Sequence, residues 1–373
     1  MTPKLIVIKV GTSGITTNKG KLDQTEMQNL AQQIAVAAKQ GNRIIFVSSG
    51  AVAAGIAELK MPQSSDIVFQ QVAAATGQSV LMTLYRKFFK KHNLKVAQIL
   101  LTAEDLSSHT AYNHTCDVLN LLLEIGVIPI INENDVTSVE ELMHTENYQI
   151  NFSDNDSLSV LVANAISADL VIILSDVEGL YTKDPTTPGA ELIQTVEEIT
   201  PELKISLSGK SKQGRGGIQS KIKAAEIATH CGIPVIIANS RHPEVITKIL
   251  ADKTVGTYFK PQNNLPAAKR WLAYGATTKG TIYVKKTAKT AILNGASLLP
   301  ADIIQITGIF NQDEVVCIAD ENTKFAKGTS NFNSTQLNLI KGLQISEVQK
   351  KLGTDKPREA IKHQNIHLTE EIK

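Results

Sequence analysis

The sequence is poor in cysteine, and the few cysteines form no short motif. Three occur in 373 residues, at positions Cys116, Cys231 and Cys317. An odd number of widely spaced cysteines argues against a disulfide framework, and the lack of a CxxC pair argues against a cysteine metal site. Because free cysteine is among the most buried residue types, we interpret all three as core thiols in a reducing compartment.

Charge imbalance and long apolar runs are also missing. Lys and Arg total 38 against 36 Asp and Glu, so the net charge of +2 provides no general field for nucleic acid or an acidic membrane. Lys9 interrupts the apolar stretch 5–10, and no later run reaches membrane length, so we expect neither a signal segment nor a spanning helix. The sequence therefore predicts a cytoplasmic protein without a membrane partner, in which any anion site is local.

Apolar runs rich in β-branched residues alternate with helical stretches as far as about residue 250. A helix capped by Asp23 and stopped at Gly41 joins the first two runs, and further helices fit 67–91, 111–125 and 217–230. The order predicts an α/β domain with a mainly parallel sheet covered by helices on both faces. The predicted strands cover residues 5–10, 43–49, 96–102, 127–132, 170–175 and 234–238.

The last third of the chain has a different pattern. Residues 252–270 are loosely patterned and contain Pro261 and Pro266, which favours a linker. Beyond them, short strands at 281–285, 303–309 and 315–319 and a short helix near 290–293 indicate a small β-rich module. The predicted limits are a large domain over 1–258, a linker over 259–275 and a small domain over 276–360.

Small and polar residues follow the first two predicted strands. Lys9 and Gly11 lie at the end of the first, and Ser49 and Gly50 lie at the end of the second. In an open α/β sheet, ligands bind where the strand ends meet the helix N-termini, and glycines let the backbone approach them. Each motif alone could also be an ordinary loop with a solvated lysine.

Carboxylates and amides cluster after the fourth strand and before the next helix, at 132–135 and 154–157. Helix capping needs only one residue of each cluster, so the others are available to hold an amino group, a metal's waters or basic side chains. The polar stretch between the clusters could fold over a substrate. A glycine-rich segment, 209–217, opens a helix that begins with Ser220 and Lys221 and could clamp phosphate, although a charged surface loop would have the same composition.

Together these motifs resemble the amino acid kinase family, and within it the branch that phosphorylates glutamate. The resemblance covers almost the whole chain and ends in a module similar to a PUA domain. It implies a three-layer αβα sandwich with a mainly parallel sheet and a small β-rich C-terminal domain. The strings that carry the resemblance are, in order, KVGTS, SSGAVAAG, AAATGQ, QILLT, PIINEND, DNDSLS, SDVEGLYTKDP, GRGGIQSKIKAA and KRWLAYG.

The resemblance also implies roles for individual residues. It implies ATP with Mg²⁺ as the phosphoryl donor, L-glutamate as the acceptor, and no metal site built from protein ligands. The implied catalytic residues are Lys9, Lys221 and Asp156, the last orienting the two lysines. The implied nucleotide-binding residues are Lys9, Gly11, Ser175, Asp176, Arg215, Gly216, Gly217, Ile218, Gln219, Ser220 and Lys221, and the implied glutamate-binding residues are Ser49, Gly50, Asp135 and Asn155.

Two features depart from the family pattern. Arg215 stands where the family usually has Thr, and Ser153 where it usually has Gly, while the loop between Asp135 and Asn155 is longer than usual. The resemblance further implies a homo-oligomer, feedback inhibition by proline, and a product passed to a glutamyl phosphate reductase in proline biosynthesis.

Two alternatives stay open at this point. Another kinase of the same family, acting on N-acetylglutamate, aspartate, carbamate or a nucleotide monophosphate, would carry similar motifs. RNA binding by the C-terminal module is disfavoured, because the module is only modestly basic and has no aromatic series for base stacking. The side-chain carboxylate of such an acceptor is already ionised at neutral pH. A kinase that phosphorylates a carboxylate would therefore need cationic side chains at the reacting groups rather than a general base.

Overall fold

The computed structural model describes residues 4–138, 154–206, 217–262, 266–353 and 357–369. The chain divides into two compact units, and each is described by itself. The first comprises Met1–Asp105 with His114–Leu265, and the second comprises Leu106–Asn113 with Pro266–Lys373. The domain limits inferred from the sequence stay a prediction.

The first unit is an α/β domain, and two of its helices, α5 (Ala103–Ser107) and α6 (His109–Glu124), contain the limits between the units. Its elements in chain order are β1 (Leu5–Val10), α1 (Thr12–Ile15), α2 (Gln24–Lys39), β2 (Arg43–Ser48), α3 (Ala51–Leu59), α4 (Ile67–Lys90), β3 (Lys95–Leu101), α5 (Ala103–Ser107), α6 (His109–Glu124), β4 (Val127–Glu133), α7 (Asn155–Ala165), β5 (Leu170–Ser175), β6 (Leu180–Tyr181), β7 (Leu192–Ile193), β8 (Thr195–Val196), α8 (Pro201–Ser206), α9 (Ile218–His230), β9 (Val235–Asn239), α10 (Val245–Leu250) and β10 (Thr257–Phe259).

Among the described residues the large sheet has eight strands, in the order β3-β4-β2-β1-β5-β9-β10-β8. The pairs are parallel except for β9 with β10, which run antiparallel. This confirms the predicted mainly parallel α/β sheet, and each of the six predicted strands agrees with the structure within one residue at either end. The sequence did not reveal the short strands β6, β7, β8 and β10.

The two faces of β1 serve different purposes. Ile6, Ile8 and Val10 point into an apolar core together with residues of α2 and α4, such as Met27 and Leu81. Side chains alternate across a strand, so Lys9 must point to the opposite face. That face is covered by α7, and this places a lysine inside the domain rather than in solvent.

Helices α3 and α4 pack at backbone distance. A Cβ atom on Gly77 would lie 1.9 Å from the Ala51 carbonyl oxygen, and one on Gly55 would lie 1.7 Å from the Ala73 carbonyl oxygen. No side chain fits in such a space, so these glycines are required by the contact itself. The pair is therefore closely packed.

Helix α4 corrects one expectation from the sequence. It has 24 residues and a mean hydropathy of 1.2 in its most apolar window, so by length and composition alone it is long enough to cross a membrane. Its Leu81, Tyr85, Phe88 and Phe89 are instead buried in the core of the first unit. The expectation that no segment reaches membrane length was therefore wrong for α4, although only 33% of its most apolar window is buried and Val68 and Val72 are exposed.

The second unit contains a small β-sheet. Its five described strands are β11 (Gly280–Val284), β12 (Ile303–Gly308), β13 (Val315–Ala319), β14 (Lys324–Thr329) and β15 (Ile366–Leu368), in the sheet order β12-β11-β13-β14-β15. The sequence predicted β11, β12 and β13 but missed β14 and β15. Its described helices are α11 (Ala267–Arg270), a π-helix (Trp271–Gly275), α12 (Lys286–Leu293), a 3₁₀-helix (Pro300–Asp302), α13 (Ser334–Ile340), α14 (Ile345–Leu352) and a 3₁₀-helix (His363–Asn365).

The cysteines lie as expected with one exception. None of the three, all of them in the described part of the chain, forms a disulfide. Cys231 and Cys317 are buried, whereas Cys116 is only half-buried. The interpretation of all three as core thiols is therefore correct for two of them.

Candidate active site

The carboxyl ends of the central strands are in register at one edge of the large sheet. Val10 of β1 pairs with Ser48 of β2 and with Leu174 of β5, and Ser175 of β5 pairs with Asn239 of β9. The loops after these strands therefore meet at one edge, as expected for the ligand side of an open α/β sheet. The sequence-predicted residues of β1, β2 and β5 all lie at this edge.

Lys9 and Lys221 meet at one carboxylate. The Lys9 ammonium lies 2.5 Å from Asp156 Oδ1, and the Lys221 ammonium lies 3.1 Å from Asp156 Oδ2. Asp156 is completely buried, and each lysine is only 5% exposed. Two charged ammonium groups thus share one buried counter-ion, with a net positive charge that favours an anion.

Local structure brings these three side chains together. Asp154 caps α7 by accepting a hydrogen bond from the Ser157 amide at 2.7 Å, which directs Asp156 in the first turn towards β1. Lys221 is in the first turn of α9, which packs against α7. The sheet strand and the two helix starts therefore converge at Asp156.

The electrostatics of Asp156 follow from its neighbours. Burial by itself raises the pKa of this carboxyl, but the charges of Lys9 and Lys221, with hydrogen bonds from Lys9 and Ser220, together outweigh burial. The pKa of Asp156 is consequently below its usual value, and the group is ionised at neutral pH. Ser220 Oγ donates to Asp156 Oδ2 at 2.8 Å, so a predicted nucleotide-binding residue also supports the ion cluster.

A second set of polar side chains lies next to the first. The Asn155 amide group donates from Nδ2 to Ser49 Oγ at 2.8 Å and to Asn132 Oδ1 at 2.9 Å. The Asn132 amide group donates in turn to Gln78 Oε1 at 3.0 Å. We call these four residues, Ser49, Gln78, Asn132 and Asn155, the amide relay. Because Asn155 and Asp156 are consecutive, the start of α7 connects the amide relay to the lysine pair.

Within the described residues, one acceptor in the amide relay has no hydrogen-bond partner. Asn155 Oδ1 is buried and makes no hydrogen bond to any residue in the described part of the chain. Leaving a buried acceptor unpaired costs about 1–3 kcal/mol, so a ligand that donated a hydrogen bond to this atom would be stabilised by it. The amide relay is thus suited to hold a group that carries N–H or O–H hydrogens.

Asp135 follows β4 in a half-buried turn beside Glu133. Burial, and the neighbouring charge of Glu133, raise the pKa of Asp135 to about 7. Glu133 itself is buried and accepts a hydrogen bond from Ser138 Oγ at 2.5 Å. The ionised form of such a carboxyl is destabilised in the empty site. A cationic group that binds beside it is therefore expected to stabilise that ionised form.

The other predicted residues that the structure describes lie at the same sheet edge. Gly11 donates its amide to the Leu174 carbonyl at 3.2 Å, and Ser175 Oγ donates to Asp176 Oδ1 at 3.0 Å. Gly50 caps α3 with a φ of 104°, a left-handed conformation that favours glycine. Gly217, Ile218 and Gln219 form the start of α9. Arg215 and Gly216, with Ser153 and most of the long loop, lie outside the described residues.

Sequence reasoning missed the roles of Gln78 and Asn132. Gln78 lies within the motif AAATGQ and received no function, and Asn132 was considered only as one member of the polar cluster 132–135. Asn132 is 3% and Gln78 is 8% exposed, although both carry polar amides. A polar residue inside an otherwise apolar strand or helix pattern is a signal that could have identified them, but their contact joins residues 54 positions apart.

Comparison with known proteins agrees with this fold. The profile of the Amino acid kinase family matches residues 4–239, and that of the PUA domain matches residues 280–352. The fold also resembles that of a carbamate kinase from Giardia lamblia bound to AMP-PNP, with a TM-score of 0.50 and 15% identity over 69% of this chain and 99% of that one. At such low identity the likeness concerns the fold alone.

Relatives at much higher identity extend over both domains. A glutamate 5-kinase from Dehalococcoides mccartyi is 42% identical over 369 residues, covering 97% of this chain and 98% of the relative. A glutamate 5-kinase from Methanosarcina acetivorans is 41% identical over 380 residues, covering 98% and 96%. These matches confirm the predicted amino acid kinase fold and the PUA domain after it, and the chain belongs to the amino acid kinase family.

Proposed function

We propose that this protein transfers the γ-phosphoryl group of ATP to the side-chain carboxylate of L-glutamate, forming L-glutamyl 5-phosphate and ADP, as in the first step of proline biosynthesis. The observation that carries the proposal is the meeting of Lys9 and Lys221 at the buried Asp156. The name shared by relatives about 40% identical over nearly the whole chain supports glutamate as the acceptor.

The chemistry needs cations rather than a base. The glutamate side chain has a pKa of about 4.3 and is ionised at neutral pH, so the attacking oxygen has no proton to lose. In the reaction this oxygen bonds to the γ-phosphorus while the bond to the leaving ADP oxygen breaks. Both reactants are anions, and the two ammonium groups of Lys9 and Lys221 would offset their repulsion in the transition state.

Asp156 has a positioning role in this scheme. Its carboxylate holds both ammonium groups at one place before the substrates bind, so little reorganisation is needed when the phosphoryl group arrives. Ser175 and Asp176, with the segment from Arg215 to Lys221, would hold ATP at the neighbouring strand end and helix start.

Mg²⁺ would accompany ATP and neutralise charge on its phosphates. Among the described residues no group of three or more His, Cys, Asp or Glu side chains could form a dedicated metal cage. The oxygens of Asp156 already face two lysines and Ser220, which fits a role towards cationic side chains better than towards a metal.

On the acceptor side, Ser49, Gly50, Asp135 and Asn155 would hold glutamate. Ser49 Oγ receives a hydrogen bond from Asn155, so its own hydrogen is available to donate to a carboxylate. Asn155 Oδ1 and Asp135 offer acceptors for the α-ammonium group. The arrangement therefore matches an amino acid that carries both charges at one end.

The proposal is tested by measuring ADP formation with a panel of acceptors. L-glutamate should give the highest kcat/KM, ahead of N-acetylglutamate and L-aspartate. An acylated amine loses the charge that Asp135 would bind, and a shorter side chain would not reach the phosphoryl group. Preference for N-acetylglutamate over glutamate would overturn the assignment.

The raised pKa of Asp135 predicts a pH dependence of acceptor binding. Below its pKa of about 7 the carboxyl is neutral and loses its attraction for the substrate ammonium. We expect kcat/KM for glutamate to fall about fivefold from pH 7 to pH 6 and to level off above pH 8. The measurement is a pH profile of initial rates at saturating ATP.

Asp135→Asn provides the control for this profile. The variant should have a lower kcat/KM at pH 8 and should lack the inflection near pH 7. An inflection that both proteins share would belong to another group, such as the nucleotide. A flat wild-type profile between pH 6 and pH 8 would contradict the role of Asp135.

A cytoplasmic location, a homo-oligomeric state, inhibition by proline and delivery of the product to a glutamyl phosphate reductase belong to the same proposal. An acyl phosphate hydrolyses readily, so a reductase that consumes it nearby would protect the product.

A further inference from the structure

The hydrogen bonds of the amide relay run in one direction. From Gln78 outward, each carbonyl oxygen accepts from the amide nitrogen of the next residue, Asn132 and then Asn155. Asn155 uses both N–H hydrogens, one to Asn132 and one to Ser49. The direction leaves Asn155 Oδ1 as the atom without a protein partner in the described part of the chain.

The direction decides what the site can bind. With the observed order, the amide relay presents an acceptor at Asn155 Oδ1 and a hydroxyl donor at Ser49. A reversed order would turn the Asn155 amide nitrogen towards the ligand and engage the Ser49 hydrogen with Asn155. An α-ammonium group would then face N–H hydrogens instead of an oxygen, which is unfavourable because like partial charges would meet.

Gln78 is the end of the amide relay that lies farthest from Asn155, and its backbone lies where α4 packs closely against α3. It follows Gly77, at which a Cβ would be 1.9 Å from the Ala51 carbonyl oxygen of α3. At the other end, Ser49 directly precedes the Gly50 cap of α3. Both ends are thus attached to the closely packed pair α3 and α4, while Asn132 and Asn155 come from β4 and α7.

We propose that Gln78 is a positioning residue that sets the direction of the amide relay and thereby selects acceptors with a free α-ammonium group. The inference rests on the proposed function, since it concerns how the glutamate site recognises its substrate. Gln78 acts through Asn132 and Asn155. Its Oε1 holds the Asn132 amide nitrogen, which leaves the Asn132 oxygen for Asn155 and the Asn155 oxygen for the ligand.

The test compares L-glutamate with glutarate, which has the same carboxylates but lacks the amino group. In Gln78→Met, a side chain of similar length without an acceptor oxygen, kcat/KM for glutamate should fall on the order of tenfold to a hundredfold. The value for glutarate should change by less than about threefold, because its binding does not use the Asn155 acceptor. The KM for ATP should stay the same.

Gln78→Glu is the matched variant, since it keeps an acceptor oxygen at the same reach. It should retain the preference for glutamate over glutarate within about threefold of the wild type. Should the Met variant fail to fold, Gln78→Ala removes the same oxygen by truncation and carries the same expectation.

An equal loss for both acceptors would reduce Gln78 to a packing role and overturn the inference. So would an unchanged preference in Gln78→Met, or a preference lost in Gln78→Glu. A wild-type protein that does not phosphorylate glutamate would instead refute the proposed function, and this is measured before any variant is made.

Discussion

Replacing Lys221 with alanine should lower kcat on the order of a hundredfold or more, the loss seen when one donor to a transition-state charge is removed. Lys221 shares Asp156 with Lys9, and both are 5% exposed, so its ammonium acts in a site with little water. Asp156 keeps Lys9 and Ser220 after the change, so the fold should survive. Initial rates of ADP formation with saturating glutamate and ATP provide the measurement.

Lys223→Ala is the matched control for this prediction. Lys223 lies two positions further along α9 and is half-buried, but it is not part of the ion cluster around Asp156. Its removal takes the same charge from the same helix and should leave kcat within about threefold of the wild type. A Lys221→Ala enzyme with wild-type kcat would refute the catalytic role, whereas an equal loss in both variants would indicate a general effect of helix charge.

The parts of the fold that sequence could predict are those set by local pattern. The runs that became β1 and β5 are apolar apart from Lys9 and Ser175 and are buried along their whole length, as parallel strands usually are, and their limits were found without error. Likewise, Asp23 caps α2 through the Thr25 and Glu26 amides, as its position before the helical pattern predicted.

Elements with mixed patterns could not be found in this way. Strand β14 has the sequence KFAKGT, in which Lys324 and Lys327 interrupt the apolar residues. Its strand character comes from its neighbours, β13 on one side and β15 on the other. Lys327 is half-buried, and burial lowers the pKa of its ammonium group. Tertiary contacts therefore hold this lysine in a partly buried strand position, although lysine is usually exposed and is uncommon in strands.

The candidate site was predictable where its residues lie at strand ends or helix starts. Lys9 and Ser49 could be assigned to one edge because parallel strands end there together. The contact of Gln78 with Asn132 needs the exact position of α4 over the sheet, which depends on the close packing of Gly77 against α3. No local pattern encodes such a distance, so the amide relay became visible only in three dimensions.

Asp156→Asn should be the most damaging single change to the apo protein. It removes the carboxylate charge from a completely buried position and leaves the ammonium groups of Lys9 and Lys221 without a shared counter-ion. Breaking a buried ion pair by removal of one partner costs about 3–5 kcal/mol, and we expect a loss of that size in the free energy of unfolding. Urea denaturation, compared with Asp154→Asn, provides the measurement.

Asp154→Asn is the appropriate control because Asn caps a helix as well as Asp does, so α7 should lose little stability. An ATP analogue that cannot be hydrolysed should stabilise Asp156→Asn more than the wild type, since its phosphates would supply the missing negative charge.

The pKa of Asp156 is lowered in the folded state, so its stabilising contribution is complete above the unfolded pKa of about 3.9 and is lost as the pH falls further. The stability difference between wild type and variant should therefore shrink at acidic pH, and a difference below about 1 kcal/mol at pH 7 would mean that Asp156 does not hold the two lysines.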